Sequence, residues 1–199
     1  MTVWEKPLWP PIVLASASPR RRALLRQLGL PFRVVPSRVR EEVPAGLAPG
    51  ARVERLAELK ARDVAARVRR GLVIGADTVV VVDGRVLGKP ADPADAEVML
   101  ALLQGRWHEV YTGVAVAAAG GERALVAHER TCVAFKPLDP ERIRRYVGTG
   151  EPLDKAGAYA IQGRAAAFVA GIRGCYSNVV GLPLGRLADL LEEFGVRVI

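Results

Sequence analysis

Apolar and polar positions follow two rhythms along the 199 residues. Compact apolar runs such as "IVLA" at 12–15, "LVIGADTVVVV" at 72–82 and "VYTGVAVAA" at 110–118 read as strands. Between them apolar residues recur every three or four positions, the spacing of one helical face. The pattern predicts strands at 11–15, 32–35, 72–82, 85–88, 109–118, 123–135 and around 158–172, and helices at 19–28, 50–70, 93–104, 140–147 and 184–194. No fixed-period repeat or low-complexity linker interrupts the alternation, so the chain reads as one α/β domain over residues 1–199.

Turn chemistry sharpens these boundaries. Ser18-Pro19, Asp92-Pro93 and Asp139-Pro140 each put a side-chain acceptor at a helix N-cap and a proline at the first helical position, while Gly29, Gly71, Gly105 and Gly148 follow helix ends. Asp83-Gly84 and Gly120-Gly121 are hairpin signals between strand-like runs. Hairpins mixed with strand-helix units imply a mixed sheet.

Three positions break the pattern in ways that point to chemistry. Asp77 interrupts a run apolar enough for a central strand, where an ionised carboxylate needs a cation, a metal or several donors; Gly75 and Ala76 beside it leave room for a close approach. Lys60 falls within the apolar stripe Val53, Leu56, Ala57, Val64, Val68, so its amine either snorkels to water or enters a polar cleft. If Asp83-Gly84 closes a two-residue hairpin, Lys89 stands opposite Thr78, and a strand end at Pro90 would let it approach Asp77. The stretch "LASASPRRR" adds a strand, a serine-bearing turn and a helix start, which leave unpaired N–H groups at the positive end of a helix dipole, an anion site. Arginines at 20 and 21, unfavourable in a first helical turn, gain a reason from an anion nearby.

The totals narrow the reading. A formal charge of +8 and a pI near 10.1 suit either nucleic acid or a small phosphorylated substrate, although 24 of the 29 basic residues are Arg, a bias that codon usage can supply. No apolar run approaches a membrane span, and the start "MTVWEKPLWPP" lacks the features of a signal peptide, so a cytoplasmic protein is expected. Cys132 and Cys175 have neither disulfide nor zinc spacing and read as core thiols. "GRVLGKP" at 84–90 is one residue short of a Walker loop, and "GTGEPL" at 148–153 lacks the third glycine of a dinucleotide fingerprint.

The blocks "LASASPRRRALLRQLG", "LAELKA", "GADTVV", "LGKP", "HEVYTGVAV" and "GEPLDKAGAYAIQGRAAAFVAGIRGCYSNVVGLPL" together resemble the Maf family, the septum-formation-inhibitor homologues understood as nucleoside triphosphate pyrophosphatases. The resemblance implies an elongated mixed β-sheet with flanking helices, related to the inosine triphosphate pyrophosphatases, and a cleft between two lobes. It implies hydrolysis of a nucleoside triphosphate to the monophosphate and pyrophosphate with Mg2+ or Mn2+, and a homodimer. Carried onto matching positions, it makes Asp77 the proton acceptor, places Ser16, Arg20, Arg21, Lys60 and Lys89 along the phosphates, and makes Glu41, one register from Glu42, the metal-proximal acid beside Asp77. Arg20, Thr78 and Gln162 resemble the subgroup acting on dTTP and UTP. The rival reading is a non-catalytic basic regulator of division that binds a protein partner or nucleic acid; it leaves Asp77 and Lys60 unexplained, which makes nucleic acid the less expected partner.

Overall fold

A computed structural model describes residues 9–44, 46–120 and 122–198. Its seven strands are β1 (Ile12–Leu14), β2 (Phe32–Val34), β3 (Leu72–Val82), β4 (Arg85–Leu87), β5 (Trp107–Ala118), β6 (Ala124–Phe135) and β7 (Val169–Arg173). They form one mixed sheet in the order β2-β1-β3-β5-β6-β7, with β4 also on β3. The β1 pairings with β2 and β3 are parallel and the remainder antiparallel. Among the described residues six α-helices flank it: α1 (Pro19–Gln27), α2 (Pro49–Ala65), α3 (Pro93–Leu103), α4 (Pro140–Val147), α5 (Tyr176–Val180) and α6 (Leu184–Glu192). Ser18, Asp92 and Asp139 cap α1, α3 and α4 by accepting from the amides of Arg21, Asp95 and Arg142.

Strand β3 runs from one hydrophobic core into another, and that passage makes the cleft. Its first half gives Leu72, Ile74 and Ala76 to a core shared with Leu25 of α1 and Leu187 of α6, and Val73 to a second core beneath Ala57, Ala61 and Val64 of α2. Its second half gives Val80 and Val82 to a core built with Leu100 of α3 and Ile143 of α4. Strand β5 repeats the division, with Val114 and Val116 on one side and Val110 on the other. Polar residues lie where the cores part: Asp77 and Thr78 on β3, and Thr112 on β5 opposite Thr78.

Two glycines bring α2 down onto the sheet. A methyl group on Gly75 would collide with the Ala57 carbonyl, and one on Gly113 with that of Val53. Gly75 and Asp77 share a face of β3, and Gly113 lies opposite Asp77. The close approach therefore delivers Lys60 of α2 to Asp77, and the space expected beside Asp77 is filled by a helix backbone.

Elsewhere the expectations need correction. The segment from 158 to 168 is a turn and a 3-10 helix, and only Val169–Arg173 is a strand. Ala158 has a left-handed φ of 57°, and the Gly163 turn folds the chain back before it can extend. Helix α2 stops at Ala65, where the Arg67 amide closes a tighter turn on the Val64 carbonyl; of the residues that follow, Val68 still packs on the core, and α5 lies outside the predicted helices. Cys132, within β6, and Cys175, at the N-cap of α5, are half-buried free thiols that belong to none of the hydrophobic cores. Asp83 and Gly84, at φ 48° and 74°, form the expected tight hairpin turn; Gly121 lies outside the described residues. No described helix is long and apolar enough to cross a membrane.

Candidate active site

The cleft has a volume of about 570 Å3 and opens where one edge of β3 loses its partners. Strand β1 pairs with residues 72–74 of that edge and β4 with residues 80–82. Between them, residues 75–79 have no strand on that side among the described residues, so groups from both faces of the sheet converge there.

On the α2 face, Lys60 Nζ lies 2.7 Å from Asp77 Oδ1 and 2.7 Å from Glu41 Oε1. Of the two alternatives open for Lys60, the amine takes the polar cleft. Lys60 and Asp77 are buried, at 9% and 7% exposure, whereas Glu41 reaches in from an exposed loop. Glu42 is exposed and does not line the cleft, so Glu41 is the acid that faces Asp77. Burial alone would raise the Glu41 pKa; the Lys60 hydrogen bond, with the charges of Lys60, Lys89 and Arg21, outweighs it and holds the carboxyl below its ordinary value. Asp77 Oδ2 receives no hydrogen bond from the described residues and is left for another donor.

On the opposite face Arg21 donates from Nε to the Gly181 carbonyl at 2.7 Å and from Nη2 to Thr78 Oγ1 at 3.0 Å. Thr78 Oγ1 also lies 3.0 Å from Thr112 Oγ1, whose hydroxyl donates to the Asn178 carbonyl. Arg20 pairs with Asp154 at 3.3 Å, linking the start of α1 to the loop after α4. These contacts explain two arginines in a first helical turn that contains no acid. Ser16 is buried and accepts from the Ser18 amide at 3.2 Å, which shapes the turn into α1.

Hairpin pairing follows the expected register, Val80 opposite Leu87, and stops there. Gly88 accepts from the Gly157 amide and the chain turns away, so Lys89 reaches the cleft wall from beyond the strand end. Its charge acts on Glu41, and it makes no ion pair with Asp77. Gln162 is exposed on the far wall, at the middle of a turn.

All nine sequence-predicted site residues line this one cleft. Sequence reasoning missed Arg52, Lys155 and Tyr159, which line it too. Arg52 had a signal: it stands four residues before Leu56 and eight before Lys60, on the helix face that carries both. Its Nε is buried without a hydrogen-bond partner among the described residues, an arrangement that an incoming anion would relieve.

The model of the family described as Maf-like protein matches residues 11–194. The chain belongs to the Maf family. A relative from Pelotomaculum thermopropionicum named dTTP/UTP pyrophosphatase is 62% identical over 188 residues, 94% of this Maf chain and 98% of that protein. A Moorella thermoacetica protein of the same name is 62% identical over 187 residues, covering 94% and 96%. Among solved structures, a HAM1 protein from Coxiella burnetii aligns with 92% of this chain and 98% of that one at 19% identity and a TM-score of 0.48, a likeness too slight to bear on the site.

Proposed function

We propose that this Maf protein hydrolyses dTTP and UTP to the nucleoside monophosphate and pyrophosphate, with residues 1–199 acting as one domain. The observation that carries the reading is the mid-strand carboxylate of Asp77, open to the cleft at an unpaired strand edge and ringed by cations. The names of the relatives support the substrate class. The cytoplasm and a homodimer belong to the same proposal.

Asp77 accepts a proton from water; the water oxygen bonds to the α-phosphorus, and the bond to the α–β bridging oxygen breaks, releasing pyrophosphate. Lys60, Lys89 and Arg20 offset the charge that gathers on the leaving phosphates. Ser16 and the amides at the start of α1 hold phosphate oxygens, and Arg21, bound to Gly181 and Thr78, keeps that turn against the sheet. Gln162 offers the base one donor and one acceptor.

Glu41 and Asp77 fit a divalent cation, because each aims an oxygen at the same point, where the Lys60 ammonium now sits. No described cluster brings three or more His, Cys, Asp or Glu together, which suits Mg2+ or Mn2+ shared with substrate phosphates better than a cage made by the protein alone. Such an ion supplies charge neutralisation at the phosphates.

The test is product analysis over a panel of nucleoside triphosphates with Mg2+, Mn2+ or chelator. The proposal expects pyrophosphate, fastest from dTTP and UTP, and no release in chelator. Orthophosphate as the product, or a purine preference, would overturn it.

A further inference from the structure

The turn that carries Gln162 is built by a buried tyrosine and a half-buried glutamate, neither of which lines the cleft. Tyr146, at the end of α4 and 4% exposed, donates its hydroxyl hydrogen to Glu151 Oε1 at 2.9 Å and accepts from the Ala160 amide at 3.2 Å. Glu151 Oε2 accepts from the Arg164 amide at 3.1 Å. Both ends of the Ala160–Arg164 turn are thus fixed by one Tyr-Glu couple, with Gln162 midway between them. The Gly163 amide closes the turn on the Ala160 carbonyl at 2.9 Å, and any side chain on Gly163 would strike the Glu151 carboxylate. The couple is itself braced: the Tyr146 ring packs edge-on against Phe168, and the Glu151 carbonyl accepts from Lys155 Nζ.

We propose that Tyr146 and Glu151 are positioning residues for base selection, acting through the placement of Gln162 and never touching the substrate. This deepens the reading of Gln162 as the base-reading residue and rests on it. A side chain that reads a base edge by one donor and one acceptor must be held to a few tenths of an ångström, and an exposed turn supplies no such rigidity by itself. Burial pushes the Tyr146 hydroxyl above the ordinary tyrosine value, and the hydrogen bond to Glu151 adds to this, so the hydroxyl remains a donor across the working pH range.

Tyr146→Phe removes both hydroxyl bonds and keeps the ring on Phe168. Glu151→Leu keeps a similar volume but removes both acceptor oxygens, so the Tyr146 and Arg164 bonds are lost. Each variant, with Gln162→Ala and the Tyr146→Phe/Gln162→Ala double variant, is assayed for kcat and KM with dTTP, UTP and CTP, and for inhibition by pyrophosphate, which has no base. The expected result is a rise of roughly tenfold in KM for dTTP and a narrowed preference over CTP, with kcat within about threefold and pyrophosphate inhibition unchanged. The double variant should be no worse than Gln162→Ala alone, since both changes act on one contact. Selectivity intact in Tyr146→Phe and Glu151→Leu but lost in Gln162→Ala overturns the positioning role and leaves Gln162 as the reader. Selectivity intact in Gln162→Ala overturns the reading of Gln162 and the positioning role with it. An additive loss in the double variant, or weakened pyrophosphate inhibition, assigns the pair to general stability and also overturns the proposal.

Discussion

The two walls of the cleft are made differently. The wall around Asp77 is charged, and apart from Glu41, which comes from the loop after β2, its parts come from regular elements: β3, α2, the start of α1 and the strand end before Lys89. The wall around Gln162 carries its charges already paired, Asp154 with Lys155 and Arg20, and comes from turns and short 3-10 segments, held from behind by Tyr146, Glu151 and the His108–Tyr159 contact. A triphosphate tail demands strong, sequence-independent charge, which a sheet edge and a helix start can supply, whereas a base demands an adjustable hydrogen-bonding edge, which a turn can vary without disturbing the sheet.

The largest expected effect breaks the charged wall. Asp77→Asn should lower kcat for dTTP by about 10^3-fold, within the range of a lost general base, while the fold survives, because the amide is nearly isosteric but cannot accept the proton. Steady-state kinetics and a thermal melt check both halves. Lys60→Met comes next, with kcat/KM down by about 100-fold and about 3 kcal/mol of stability lost, because a carboxylate loses its buried partner. The variant should also weaken one pH trend. In the parent, the Glu41 pKa lies below its unfolded value, so its contribution is present above that value and lost as pH falls through the folded pKa. Without Lys60 the folded pKa moves up toward the unfolded value, and the stability lost through this group on acidification shrinks. Denaturant midpoints from pH 4 to 8 read the change.

The wall around Gln162 is tested through His108. Burial lowers its pKa from 6.5 to about 4, while its ring bonds Tyr159. The unfolded chain therefore binds more protons between these values, and stability, full above pH 6.5, falls by about 3 kcal/mol as pH drops to 4. His108→Gln should flatten that part of the stability profile. The smallest effect returns to the charged wall: Arg52→Ala should raise KM for dTTP and UTP alike by roughly fivefold, as expected for one lost charged hydrogen bond, with base preference unchanged.

Legibility in the sequence followed the same division. Asp77 and Lys60 stood out because a charged residue within an apolar strand or stripe violates a periodicity that neighbours establish. Their hydrogen bond could not be read that way, since it depends on α2 settling onto Gly75 and Gly113, a contact between segments far apart in the chain. Glu41, Gln162 and Thr78 came from family resemblance; nothing in local pattern marks an acid in an irregular loop. The 158–168 region misled because "AYAIQGRAAAFVA" is apolar enough for a strand, and its apolar residues instead fill the core from 3-10 turns pinned by Tyr146 and Glu151.

The central claim is that the triphosphate lies across the break between the two cores, with its α-phosphorus facing Asp77. The direct measurement is a crystal structure with α,β-methylene-dTTP, which cannot be cleaved at that bond. The account predicts phosphates along the Ser16–Arg21 turn, the α-phosphorus beside Asp77, and the base at Gln162. A nucleotide seated elsewhere, as in the arginine-lined groove of Arg33, Arg67 and Arg70 at the β2 edge, would contradict it.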